Sequence, residues 1–194
     1  MDAADCFHFA EDRQSTWKDV KNIVLFGYWS WDWADSYRMV TSIDSEKKII
    51  HVSAPSKNIN RIKAGARYCA LNVLEEIEKP GDMAIDFAGR KIYWWPDQTE
   101  VLPTVSCLTE ELIRMRGVTD FELNGLILRE GRADGLTARS CARVDFKNLL
   151  IENVGNTAMI VNGGHHVRIN RCEFTGTGDG CILIEGGDIS KLLP

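Results

Sequence analysis

Gly135-Leu136-Thr137-Ala138-Arg139-Ser140-Cys141-Ala142-Arg143-Val144-Asp145-Phe146-Lys147-Asn148-Leu149-Leu150-Ile151-Glu152-Asn153-Val154 holds three apolar pairs, Leu136/Ala138, Val144/Phe146 and Leu149/Ile151. One residue separates the members of each pair, the spacing that puts both on one face of a strand. The same three pairs recur 23 residues earlier as Ile113/Met115, Phe121/Leu123 and Leu126/Leu128. They recur 23 residues later as Met159/Val161, Val167/Ile169 and Cys172/Phe174, and a fourth copy opens with Ile182/Ile184. All 18 inward positions from 113 to 174 are apolar, which a sandwich with coincidental spacing does not require. Gly117, Ser140, Gly163 and Gly186 share one turn, and Gly131, Gly155 and Gly178 fall in or near another. Tight turns of this kind favour residues that tolerate positive φ.

Three short strands per 23 residues are too few for a propeller blade and too strand-rich for a leucine-rich repeat. Stacking the repeats ~4.8 Å apart makes three parallel sheets around an apolar axis. The fold expected is an all-β solenoid, a right-handed parallel β-helix, over residues 106–194. Residues 1–105 lack the period and are expected to form an α+β insert or flanking layer. Within them, Ile49–Val52 reads as a strand, and Met83–Phe87 with Lys91–Trp95 as a hairpin. Ala70, Val73, Leu74 and Ile77 recur at helical spacing before Pro80-Gly81, which predicts a short helix.

Composition narrows the function. The 194 residues are 44% hydrophobic and 26% charged, which suits a packed core rather than disorder. The net charge is -5 with Lys and Arg scattered, so nucleic acid is not an expected partner. No apolar run approaches the ~20 residues of a membrane span, so no membrane partner is expected. Met1 to Asp12 is acidic and has no signal-peptide pattern, and localisation stays open. The six cysteines show no C-x-x-C spacing, which argues against a zinc or redox motif. No cofactor is expected.

Two long segments carry a family likeness. Gly27-Tyr28-Trp29-Ser30-Trp31-Asp32-Trp33-Ala34-Asp35 and Arg67-Tyr68-Cys69-Ala70-Leu71-Asn72-Val73-Leu74-Glu75-Glu76-Ile77-Glu78-Lys79-Pro80-Gly81-Asp82 resemble signatures of right-handed β-helix repeat proteins of the pectin-lyase-like superfamily. Ile85-Asp86, Gly89 and Ile92-Tyr93-Trp94-Trp95-Pro96 are similar to the hairpin that follows in that family, and Gly180–Asp188 to a coil ending in a Gly-Gly-Asp turn. The chain departs from the family pattern at Cys69 and Ile189. The resemblance implies a carbohydrate-active parent, a glycosidase or polysaccharide lyase, most relatives being secreted. It also implies a polysaccharide or oligosaccharide partner. Relatives carry an Asp-rich catalytic region in later coils, so the catalytic residues are expected outside residues 1–194 and this fragment is expected to lack a complete active site. The alternative is a non-catalytic carbohydrate-binding or structural module; a truncated gene product is a third reading.

Within the chain, glycoside hydrolysis would require two carboxylates ~5–9.5 Å apart. Asp179, Glu185 and Asp188, with His165 as the nearest partner, form the candidate acidic cluster at the substrate groove. The other reading is that Asp179 and Asp188 are turn residues whose side chains bond their own backbone. Trp29, Trp31, Trp33, Trp94 and Trp95 are candidates for stacking sugars, or for packing the first half. No repeated carboxylate set suggests a metal site. The final coil, lacking its second and third strands before Pro194, is expected to leave an open edge through which the chain self-associates.

Overall fold

The computed structural model describes residues 5–53, 61–97 and 103–186. The chain divides into two compact units, Met1–Val101 and Leu102–Pro194. In the first, β1 (Cys6–His8), β2 (Val24–Trp31), β3 (Ala34–Asp44), β4 (Ile49–Val52) and β5 (Arg67–Leu71) form an antiparallel sheet in the order β1-β4-β3-β2-β5. β2 alternates, with Leu25, Gly27 and Trp29 buried on one face. They pack with Phe9, Trp17, Ile23, Val40, Ile50, Val52, Ile62 and Val73. β6 (Met83–Asp86) and β7 (Lys91–Trp94) pair as the expected hairpin.

The helix expected over residues 70–77 is absent, and with it the α component of this half. Only 3-10 turns occur among the described residues, at Arg13–Thr16, Val20–Asn22 and Leu74–Glu76. Arg67–Leu71 is instead extended, with Tyr68 and Ala70 half-buried and Arg67, Cys69 and Leu71 exposed. Two turns of helix are marginal alone, whereas β2 offers this segment a full ladder from Val24↔Leu71 to Tyr28↔Arg67. Asn72, at φ 65, then turns the chain. Its side-chain amide donates to Asn22 O (2.9 Å) and Ile85 O (2.8 Å) and its oxygen accepts from the Ile85 amide, tying the hairpin to the sheet.

The second unit is a β-solenoid of about three coils. Its strands are β8 (Ile113–Arg116), β9 (Thr119–Asn124), β10 (Ile127–Arg129), β11 (Leu136–Arg139), β12 (Ala142–Lys147), β13 (Leu150–Val154), β14 (Met159–Asn162), β15 (His165–Asn170), β16 (Glu173–Thr177) and β17 (Ile182–Glu185). Three parallel sheets result, in the orders β17-β14-β11-β8, β15-β12-β9 and β10-β13-β16. The 23-residue register holds in each: Leu136 pairs with Ile113 and Met159, and Met159 with Ile182. The middle rungs of this ladder, Leu136 and Met159, are fully buried, while Ile113 is half-buried and Ile182 exposed. Val144, Phe146, Leu149 and Ile151 complete the axis beside them.

Corners close because each coil passes through left-handed backbone at equivalent positions. Gly117, Ser140 and Gly163 have φ 62, 52 and 65; Asp120, Arg143 and His166 have φ 54, 53 and 54. Gly125, Asn148 and Arg171 (φ 73, 50, 52) and Glu130, Asn153 and Gly176 (φ 61, 52, 60) do the same at two further places. At two corners neighbouring coils approach too closely for a side chain. A Cβ on Gly164, itself at φ +85, would lie 1.9 Å from Cys141 O, and one on Gly155 would lie 2.0 Å from Arg132 O.

Candidate functional site

The five candidate tryptophans separate by environment. Trp29 is 1% exposed, its indole N–H donates to Ser36 O (2.9 Å), and the Arg38 guanidinium lies 5.3 Å from its ring. It is a core residue with no face for a sugar, because the alternation of β2 turns it inward. Trp31 ends β2, Trp33 lies in the turn before β3, and the two stack on each other, ring centroids 5.7 Å apart at 18°. They are 42% and 81% exposed. Asp32 between them is anchored by Lys63 (2.6 Å), whose ammonium holds the Asp32 carboxyl below its ordinary value. Ser30 donates to Arg61 O (2.6 Å) beside the same turn. The indole pair is therefore carried on a braced hairpin.

Trp94 and Trp95 lie elsewhere in the same unit. With Leu74, Ile77, Ile92, Tyr93 and Pro96 they line a cleft of about 620 Å³. Trp94 is half-buried and Trp95 46% exposed. Reciprocal backbone bonds fix this end of the hairpin: Trp95 N donates to Asp82 O (3.0 Å) and Gly81 N to Trp95 O (2.8 Å).

The acidic candidates sit on the solenoid. Asp179 is exposed before β17, and its amide donates to Asn156 O (3.2 Å). Glu185 closes β17 and accepts a hydrogen bond from the Asn162 side chain (2.6 Å). Asp179 lies three residues before β17 and Glu185 is its last residue, and the extended rise from Ile182 to Glu185 is ~10 Å. His165 is exposed at the start of β15, on the side of the corner that Glu185 reaches, and packs edge-on against His166, centroids 5.3 Å apart. Asp188 lies outside the described residues. The structure thus brings Glu185 and His165 to one end of the sheet and leaves Asp179 at the other.

Outward residues of the coils meet in ways that the apolar pattern does not reveal. Arg143 pairs with Asp120 (2.5 Å), Arg168 with Asp145 (2.6 Å) and Lys147 with Glu122 (2.6 Å), and each cation holds its carboxylate below the ordinary range. The 23-residue offset between Asp120 and Arg143 and between Asp145 and Arg168 was the sequence signal for these pairs. Asn148 donates to Asn124 Oδ1 (2.7 Å), a side-chain ladder at the corner. Glu111 accepts from Arg114 Nε (2.5 Å) and from Thr137 Oγ1 (2.8 Å). The Arg114 guanidinium is the main cause that lowers its carboxyl to about 2. Among the described residues, no group of three or more His, Cys, Asp or Glu is arranged to hold a metal ion, and no helix is long and apolar enough to cross a membrane.

No family model, no curated protein and no solved structure matches this chain.

Proposed function

We propose that this chain is a segment of a carbohydrate-active β-helix protein of the pectin-lyase-like kind, and that its own role is to bind polysaccharide rather than to cleave it. The observation that carries the reading is the exposed, stacked Trp31–Trp33 pair on its braced hairpin. Indole faces suit the apolar faces of pyranose rings, and exposed aromatic surface held rigidly loses little entropy on binding. The cleft beside Trp94 and Trp95 supplies a second aromatic surface. Catalysis would then fall to residues elsewhere in a larger protein.

Affinity electrophoresis through gels containing xylan, pectin or fucosylated polysaccharide tests this. The wild-type chain is expected to be retarded by at least one of them, with no release of reducing or unsaturated ends. Covering ~60 Å² of indole at ~25 cal/mol/Å² contributes ~1.5 kcal/mol, about tenfold in affinity. Trp33→Ala should lose that factor, and Phe121→Ala on the solenoid should not. Absence of retardation in every gel, or turnover abolished by Glu185→Gln, would overturn the proposal.

A further inference from the structure

The outer faces of the solenoid follow a rule of opposite or neutral neighbours from coil to coil. Asp120 faces Arg143, Asp145 faces Arg168, Arg129 faces Glu152 (3.9 Å), and Asn162 faces Glu185. One rung breaks it. Arg116 and Arg139 are register partners on β8 and β11, with backbones ~4.8 Å apart, and both are exposed. Neither guanidinium has an ion-pair or hydrogen-bond partner among the described residues. Like charges directly opposite one another destabilise a sheet, and departures from a protein's local rules concentrate at functional sites.

The two arginines open onto a cleft of about 400 Å³ that also reaches Arg114, Thr137, Glu111 and Asp134. The acids there are already engaged. Glu111 is held by Arg114 and Thr137, and Asp134 Oδ1 accepts the Thr157 amide (3.1 Å). They also precede β8 and β11, five positions before the arginine rung, and the three extended steps of each strand alone span ~10 Å. On the far side, Asn162 follows Arg139 in the same column and occupies Glu185. Among the described residues neither Arg116 nor Arg139 is ion-paired, and the carboxylates of the cleft lie towards its other end, before β8 and β11.

We propose that Arg116 and Arg139 form a binding site for a doubly charged tetrahedral oxyanion, of the phosphate monoester class. Two guanidinium forks on adjacent rungs converge on one group, and a dianion neutralises both where a carboxylate would leave one uncompensated. A phosphate also offers three terminal oxygens to two donor forks, a match that planar guanidinium makes well. The site shares no residue with the tryptophan surfaces, so it stands whether or not those bind sugar.

Calorimetric titration of the full chain with inorganic phosphate at low ionic strength tests the assignment. Saturable binding of one equivalent is expected, weakened at least tenfold by Arg116→Gln or Arg139→Gln and unchanged by Arg143→Gln. Thermal unfolding without phosphate should show both Gln variants folded, with Tm equal to or above wild type, because a repulsion has been removed. In the wild-type chain, the Arg116 and Arg139 side-chain N–H resonances should shift on adding phosphate, a readout that needs no variant. No saturable binding, an equal loss in Arg143→Gln, or galacturonate bound as tightly as phosphate would overturn it.

Discussion

Glu111 shows how one side chain can tie a coil together. It bonds Arg114 on its own rung and Thr137 on the next, and its side chain is 12% exposed. Its carboxyl falls from an ordinary 4.5 to about 2 in the folded chain. A depressed folded value means stabilisation that is complete above the unfolded value and lost as pH falls through the folded one. Acid titration followed by circular dichroism should therefore show stability falling from about pH 5 to about pH 2, and Glu111→Gln should flatten that slope. The exposed pairs Asp120–Arg143 and Asp145–Arg168 act in the same direction, weakened by solvent screening. An unchanged slope in Glu111→Gln would mean that other carboxylates dominate. The same scale separates the tryptophans: Trp29 lies inside β2 and is core, whereas Trp31, two residues on, ends the strand at the turn into β3 and is surface.

Each strand of the solenoid is four to six residues long in most cases, too short to stand without the rungs above and below. Leu149 illustrates the dependence. It is fully buried at the entry to β13, among Phe146, Ile151 and the other residues of the axis. Leu149→Asp places an unpaired charge between coils and should cost more than about 4 kcal/mol. Glu185→Gln, at an exposed outward position, should change stability by less than about 0.5 kcal/mol. Urea unfolding of the two variants separates inward from outward columns; equal losses would show the assignment of faces to be wrong. Elements of the first unit obey the opposite logic. There β5 is a strand because β2 is available to pair with it, and it runs through Ala70 and Leu71, where the helical spacing was expected to begin.

At the scale of the molecule, the solenoid buries its axis in the middle and exposes it at the ends of the described residues. Ile184 belongs to the inward column of Met115, Ala138 and Val161, yet it is 68% exposed. Ile182 and Leu183 are exposed with it, and among the described residues β17 is the outermost strand of its sheet. Apolar side chains on an unpaired parallel strand template association. Sedimentation velocity of the 194-residue chain should show association that grows with concentration, reduced by Ile184→Lys, an inward-pointing charge on the edge. A wild-type chain that remains monodisperse across a wide concentration range would overturn this expectation.

The sequence alone determined the solenoid, its period and its inward columns. Stacking makes equivalent positions of successive coils neighbours, so a repeat along the chain is a ladder in space, and Leu136, Val144 and Leu149 could be assigned without coordinates. Hairpin β6–β7 was legible for a similar reason, its partners being close in the chain. Only the tertiary structure decided what depends on partners distant in sequence. Pairing with β2 made Arg67–Leu71 a strand, and burial in the first unit's core removed Trp29 from the candidate surface. It also decided which outward charges find a counterion. Arg116 and Arg143 are alike in the sequence, but the fold sets Arg143 against Asp120 and Arg116 against Arg139, because electrostatic partners are chosen by distance through space.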